Sequence, residues 1–106
     1  MKGVCLKFYT YELQKHQDIL LYEWLLEFAK DNGIDGGSVF RAIAGFGRHG
    51  VMHQQHFFEL AANVPVEVNF FLQEEEAIRF LGLLKNEKID IFYTKSNIEY
   101  GIINNK

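Results

Sequence analysis

A short segment in the middle of the chain combines backbone freedom with a fixed positive charge. It reads Gly45-Phe46-Gly47-Arg48 and follows a run of strand-forming residues. Glycine has no Cβ, so both glycines permit close approach of the backbone to another group. The guanidinium of Arg48 is a planar donor that suits phosphate or carboxylate. The segment is a candidate anion site, and the same pattern also fits a strand-ending turn with an exposed arginine.

Three histidines follow this segment at spacings of four and three residues, namely His49, His53 and His56. In a helical segment all three would fall on one face, as the ligands of one metal ion must. Glu59 adds an oxygen ligand at the next three-residue step. Loop histidines without a metal also make a segment sensitive to pH near neutrality. The spacing supports a metal-site hypothesis and leaves the alternative of an ordinary polar loop open.

The composition indicates one domain that spans residues 1–106. Apolar residues make up 48% of the chain and there is a single proline, which argues against disorder. A net charge of −3 without a basic tract argues against nucleic-acid binding. The one cysteine, Cys5, excludes an internal disulfide. We expect a cytoplasmic protein, because the sequence shows neither a signal-peptide pattern nor an apolar run near ~18 residues.

The elements that must position these residues are predicted in the order β-α-β-β-α-β. Period-two alternation and apolar runs predict strands over residues 4–9, 38–46, 65–72 and 89–94, and a short tail strand over 98–103. The strand over 38–46 has no polar face, which is typical of a central strand. Apolar spacings of three and four predict one helix with Asp18 as N-cap and a stop at Gly33. A second helix is predicted to begin at Glu74.

This order predicts an α+β fold of the ferredoxin-like type. Such a βαββαβ fold has an antiparallel sheet with two helices on one face, here with a short C-terminal strand in addition. If alternate residues of the first strand face the helices, the open face of the sheet carries Cys5, Lys7, Tyr9, Phe71 and Phe92. An exposed face with so many aromatic residues would be unusual for a monomer. We therefore expect oligomerisation through the open face.

Arg41, on the second predicted strand, has two interpretations. It either pairs with a carboxylate such as Glu67 or serves as an anion-binding group. No ordered set of Ser, His and Asp, or of Cys and His, predicts nucleophilic catalysis in this chain. The acidic run over residues 74–76 is explained by the start of a helix rather than by acid–base chemistry. We expect a protein that is not an enzyme.

Residues 33–50 resemble the PII signal-transduction proteins. The run Val39-Phe40-Arg41-Ala42-Ile43-Ala44-Gly45-Phe46-Gly47 is similar to the Val-x-Arg-Gly-Ile-x-Gly-Phe-Gly run of an uncharacterised PII-like family, with Ala42 in place of a glycine. In PII proteins a Gly-Phe-Gly-Arg segment ends a strand and opens a long regulatory loop, the T-loop. The corresponding loop here covers residues 48–63. The order of elements agrees with this family over nearly the whole chain.

The resemblance implies a homotrimer with ligand clefts between neighbouring subunits. The implied ligands are adenine nucleotides, as ATP, ADP, AMP or a cyclic nucleotide with Mg²⁺. By position, the residues that would border the cleft are Arg41, Gly45, Gly47 and Arg48. PII proteins hold phosphates with a Gly- and Lys-containing loop between the second helix and the fourth strand. That connection is Asn86-Glu87-Lys88 here, so Lys88 would supply charge without the glycines.

Three functions remain open at this point. The leading hypothesis is a PII-like regulator that senses a small anionic ligand and acts through loop 48–63 on a protein or membrane-transporter target. The second is a metal-binding trimer that resembles the copper-tolerance proteins of this architecture, with the loop histidines as ligands. The third is an adaptor whose Phe57-Phe58 pair docks onto a partner without any small ligand.

Overall fold

The computed structural model describes residues 1–45 and 63–105, which form a four-stranded antiparallel sheet with two helices. The elements are β1 (Lys2–Tyr11), β2 (Lys15–His16), β3 (Ile19–Leu20), α1 (Leu21–Asp31), β4 (Gly37–Arg41), β5 (Pro65–Leu72), α2 (Glu74–Lys85) and β6 (Phe92–Glu99). The main sheet has the order β4-β5-β1-β6, and β2 and β3 form a separate hairpin. This order of strands confirms the predicted ferredoxin-like α+β fold.

One face of the sheet and both helices share a single core. Residues directly opposite each other in paired strands lie on the same face, and Val4 pairs with Leu72 and Leu6 with Phe70. All four are buried. The buried helix residues that join them are Leu21, Trp24, Leu25, Ala29, Ala77, Phe80 and Leu84. Both helices therefore lie on this face, as the sequence predicted, and none of the described elements covers the opposite, open face of the sheet.

The second helix begins where local signals predict. Gln73 precedes its first turn, and the Gln73 backbone N–H donates to the Glu76 carboxylate at 3.2 Å. This contact satisfies a polar group at the helix start, and the acidic first turn suits the positive end of the helix dipole. At the other end of α2, Lys85 occupies the last turn. Neither helix in the described ranges is long and apolar enough to cross a membrane.

The start of the first helix corrects a prediction. Asp18 is not its N-cap, because Gln17 (φ 53°) and Asp18 (φ 66°) form the two-residue turn between β2 and β3. Two consecutive residues with positive φ are the signature of a type I′ hairpin turn. The helix begins later, at Leu21, and the Leu21 N–H donates to the Gln14 carbonyl at 2.7 Å.

Two strand predictions are also corrected. Strand β4 ends at Arg41, and among the described strands it lies at an edge of the sheet rather than in its centre. Strand β6 begins at Phe92 instead of residue 89 and extends to Glu99. The predicted tail strand over 98–103 is therefore not a separate element, since its first two residues belong to β6 and residues 100–105 have no regular structure. Met1 and Tyr100 exchange backbone hydrogen bonds of 2.8 Å just beyond β6.

Candidate functional site

One end of the sheet gathers the described residues that the sequence predicted for a ligand site. Because neighbouring strands are antiparallel, β4 and β1 finish at this end with Arg41 and Tyr11, while β5 and β6 start there with Pro65 and Phe92. The turn that contains Lys88 also leads into β6 at this end. The fold therefore brings the predicted site elements to the same end of the sheet.

Arg41 has a different carboxylate partner from the one predicted. Its Nη2 donates to Oε2 of Glu12, which lies in the link after β1. The Arg41 side chain is 65% exposed, whereas the Glu12 side chain is 21% exposed. Arg41 is opposite Val66 in the sheet, so it lies on the helix side, and Glu67 belongs to the other face. Arg41 thus pairs with a carboxylate, as one of the two interpretations expected, but Glu67 is not that carboxylate because adjacent residues of a strand point to opposite faces.

The residues after β1 also hold the chain that follows residue 62. The Glu12 N–H donates to the Val64 carbonyl at 2.8 Å, and the Leu13 N–H donates to Oδ1 of Asn63 at 2.9 Å. Across β4 and β5, the Ala42 N–H donates to the Pro65 carbonyl at 2.9 Å. The chain on both sides of residues 46–62 is thus fixed against the end of β1, and Glu12 contacts both sides.

The surroundings of Gly45 differ from those of Gly3 and Gly37 among the described residues. A Cβ built on Gly45 would have no neighbour within 4 Å among the described residues. Other glycines differ, since a Cβ on Gly37 would lie 2.5 Å from the Phe70 ring and one on Gly3 would lie 2.5 Å from the Leu72 carbonyl oxygen. The described chain therefore requires glycine for packing at positions 3 and 37. A close approach of Gly45 to a ligand stays a prediction.

Lys88 belongs to the connection that leads into edge strand β6, whereas Arg41 ends the other edge strand, β4. It is exposed, has φ 56° and belongs to the turn between α2 and β6. Strands β4 and β6 are the two edges of the sheet, so their backbones are separated by three interstrand spacings, or roughly 14 Å. Within a single subunit, Arg41 and Lys88 therefore belong to segments that end or lead into opposite edge strands of the described sheet.

The remaining predicted site residues lie outside the described residues. They are Gly47, Arg48, His49, His53 and His56, and loop 48–63 shares only its last residue with the described part. In residues 1–45 and 63–105, no group of three or more His, Cys, Asp or Glu side chains is placed to hold a metal ion. The metal hypothesis based on the three histidines is therefore not addressed by the described structure.

The open face of the sheet forms a second surface of interest. The register aligns Cys5 with Phe71 and Ser96, and Tyr9 with Glu67 and Phe92, so the residues predicted for this face do share it. The sequence analysis did not place Phe40 on this face, because its face is decided by its pairing with Glu67 in β5. The large apolar side chains exposed here are Phe40, Phe71 and Phe92.

The centre of the open face is polar. Lys7 and Glu67 approach within 4.0 Å, and Lys7 is opposite Asn69 in the register. Oδ1 of Asn69 is buried and has no hydrogen-bond partner among the described residues. Burial is the largest influence on the Cys5 thiol and raises its pKa, while Lys7 lowers the pKa and Glu67 raises it. Polar groups that are already partly buried in one subunit thus lie among exposed aromatic rings.

A shallow depression of about 400 Å³ lies at the other end of the sheet. The residues that line it are Lys2, Gly3, Glu74, Asn97, Ile98 and Glu99. Glu74 in this depression forms an ion pair with Lys95 of β6. The depression is thus separate from the end of the sheet that carries Arg41.

Related sequences cover nearly the whole chain. The DUF190 family model, described as "Uncharacterized ACR, COG1993", matches residues 3–99. A UPF0166 protein from Aquifex aeolicus (strain VF5) is 34% identical over 101 residues, covering 88% of this chain and 96% of that protein. A UPF0166 protein from Methanocaldococcus jannaschii is 33% identical over 84 residues, covering 79% of this chain and 77% of that protein.

Solved structures of PII-like proteins share the fold. CPII from Thiomonas intermedia K12, bound to ADP and bicarbonate, has a TM-score of 0.66 at 17% identity, covering 96% of this chain and 91% of that chain. A putative PII-like signaling protein from Thermus thermophilus has a TM-score of 0.60 at 19% identity, covering 92% of this chain and 87% of that chain. These likenesses show a PII-like fold, and with the family match over residues 3–99 the chain belongs to the DUF190 (UPF0166) family.

Proposed function

We propose that the protein is a PII-like regulatory protein that binds a small anionic ligand, an adenine nucleotide, between the subunits of a homotrimer. The observation that carries the proposal is the exposed Arg41 guanidinium at the end of edge strand β4. A protein of the same fold, CPII from Thiomonas intermedia K12, was solved with ADP and bicarbonate bound. Both of those ligands are anions, and an exposed guanidinium is suited to bind such groups.

Arg41 retains the capacity to bind an anion although it has a partner. A guanidinium has five N–H donors, and among the described residues only its Nη2 is engaged, by Glu12. The remaining donors belong to a side chain that is 65% exposed. Phosphate and carboxylate oxygens match this planar set of donors.

The distribution of positive charge supports a cleft between subunits. Arg41 ends one edge strand and Lys88 precedes the other, which favours a ligand held where the sheet edges of two neighbouring subunits meet. A divalent cation such as Mg²⁺ on the phosphates would reduce the charge that the protein has to balance. Arg41 and Lys88, from two subunits, are the described residues proposed to contact the ligand, with Gly45, Gly47 and Arg48 beside them.

The open face of the sheet supports self-association. Phe71 is 66% exposed and Phe40 is 56% exposed on this face. Large aromatic side chains exposed on a face that no described element covers favour an interaction site. Packing of these faces around a common axis would cover the rings and would place the sheet edges of neighbouring subunits side by side.

Loop 48–63 is the proposed effector region. A ligand that binds one arrangement of this loop more tightly than another shifts the population between them by that difference in affinity. The proposed target is a protein or a membrane transporter that binds one arrangement. Within the described residues, nothing favours catalysis over binding, since Cys5 is buried with a raised pKa and is therefore a poor nucleophile near neutral pH.

Titration calorimetry tests the proposal. ATP, ADP, AMP and cyclic AMP are titrated into the purified protein with Mg²⁺, and light scattering on the same sample gives the mass of the assembly. We expect a mass of three 12.4 kDa subunits and saturable heat with about one nucleotide per subunit. A monomer, or an assembly that gives no heat with any of these nucleotides, would contradict the proposal.

A further inference from the structure

We propose that Glu12 is an internal competitor for the Arg41 guanidinium, which limits the affinity of the site for anions and is displaced when an anion binds. The inference rests on the proposed function in one respect, namely that Arg41 contacts the anionic group of the ligand. It adds a residue that lies far from Arg41 in sequence and that no binding motif identifies. Glu12 is a positioning residue in this account, because it acts on the ligand through Arg41.

The contact between the Arg41 and Glu12 side chains is the first observation behind this proposal. Oε2 of Glu12 accepts from Nη2 of Arg41, as an oxygen of a phosphate or carboxylate ligand would. The carboxylate is the more enclosed member, with 21% of its side chain exposed against 65% for the arginine. Ion pairs with an exposed member contribute little net stability, so a ligand with two or more negative charges can replace the carboxylate.

The backbone hydrogen bonds at Glu12 and Leu13 are the second observation behind this proposal. Its N–H donates to the Val64 carbonyl, and the next residue, Leu13, donates its N–H to Asn63. These bonds fix the Glu12 backbone whether or not Arg41 contacts the carboxylate. Displacement should therefore leave the Glu12 backbone in place, and we expect the backbone change at the end of β4, at Arg41 and Ala42.

The charge of Glu12 gives the direction of the effect. A carboxylate that lies against Arg41 cancels part of its positive charge and repels an incoming anion at short range. Glutamine has nearly the same shape and can still accept a hydrogen bond, but it carries no charge. Replacing Glu12 with glutamine should therefore raise the affinity for anions, by about three- to tenfold at low salt.

Inorganic pyrophosphate is the probe for the first experiment, because it has the charge of a nucleotide without the base. Its affinity is measured by calorimetry in wild type, Glu12→Gln, Glu12→Asp, the double variant Glu12→Gln/Arg41→Ala, and Glu27→Gln as a matched control on the exposed face of α1. We expect tighter binding only in Glu12→Gln. Glu12→Asp keeps the charge and should gain nothing, and the double variant should lose the increase because Arg41 is absent.

The results separate this inference from the proposed function. Tighter pyrophosphate binding by Glu12→Gln without any nucleotide binding would support competition between Glu12 and anions for Arg41, and it would contradict nucleotide sensing. Nucleotide binding by wild type, with no gain in pyrophosphate affinity in Glu12→Gln, would agree with the proposed function. It would overturn the role of Glu12 as a competitor. Absence of pyrophosphate binding in every variant would also overturn it.

Hydrogen exchange in the ligand-free protein is the second measurement. The Ala42 amide, which donates to Pro65 at the end of β4, should exchange about three- to tenfold faster in Glu12→Gln. The amides of Glu12 and Leu13 have separate acceptors and should keep their rates. An unchanged Ala42 rate would show that Glu12 does not hold the end of β4, and the inference would fall.

Discussion

Lys7 Nζ and Glu67 Oε2 lie 4.0 Å apart on the sheet face that the helices leave uncovered. Both side chains are partly exposed in one subunit, and the buried Oδ1 of neighbouring Asn69 has no partner among the described residues. If another subunit covers this face, the ion pair becomes buried. A buried ion pair adds little net stability, but removing one member leaves an uncompensated charge.

This pair leads to a prediction about assembly. Lys7→Met should weaken self-association by about 3–5 kcal/mol, because the Glu67 carboxylate would be buried without its partner. The double variant Lys7→Met/Glu67→Leu should recover most of the loss, since no charge remains. Light scattering over a dilution series measures both. Equal dissociation of the single and double variants would show that the pair is not buried in the assembly.

Phe71 provides a direct test of which surface associates. It is 66% exposed on the open face, so Phe71→Asp should leave the subunit folded while the assembly dissociates to 12.4 kDa monomers. Ile78 is 60% exposed on α2, which packs on the opposite face, so Ile78→Asp is a matched control that should stay assembled. Circular dichroism checks the fold and light scattering gives the mass. Dissociation by Ile78→Asp alone would place the interface on the helices.

Phe80 is the central side chain of the core. It is fully buried, with ring centroids 5.4 Å from Phe70 and 6.1 Å from Phe8. Phe80→Ala should lower the free energy of unfolding by about 3–5 kcal/mol through lost burial and the cavity left behind. Urea unfolding at one fixed protein concentration measures the loss, with Ile78→Ala expected to change it by less than about 0.5 kcal/mol. Similar losses of unfolding free energy in Phe80→Ala and Ile78→Ala would contradict the burial of Phe80 in the core.

Cys5 gives the protein a pH dependence at alkaline pH. Burial raises the pKa of its thiol above 9.0, the ordinary value that applies in the unfolded chain. Its stabilisation is therefore fully present below that value and is lost as the pH rises through the higher folded-state pKa. Wild type should lose more free energy of unfolding than Cys5→Ala between about pH 8 and pH 10. Parallel pH profiles of the two proteins would contradict the raised pKa.

Local sequence signals predicted some elements closely. Pro65 is the first residue of β5 and Glu74 the first residue of α2, as expected from the restricted backbone of proline and from the acidic helix start. The face shared by Cys5, Phe71 and Phe92 was also predicted, because alternation along each strand determines its two faces. These features depend on neighbours in the sequence.

The features that the sequence did not reveal depend on tertiary contacts. Ile89 and Ile91 form an apolar pattern like that of a strand, but they pack against the core from the connection before β6. Strand β6 itself is polar because it is an edge strand with little burial. The partner of Arg41 was missed because Glu12 is 29 residues away and meets it only when β1, β5 and β4 align.

The measurement that tests the central claim most directly compares two arginines. ADP is titrated calorimetrically, with Mg²⁺, into wild type, Arg41→Ala and Arg79→Ala. Arg79 lies on α2, where it donates to the Asn32 carbonyl, so its loss removes the same charge away from the proposed site. We predict saturable ADP binding by wild type and Arg79→Ala, and binding weakened by about 1.5–3 kcal/mol in Arg41→Ala. Equal affinity in all three proteins, or no binding by wild type, would contradict the account.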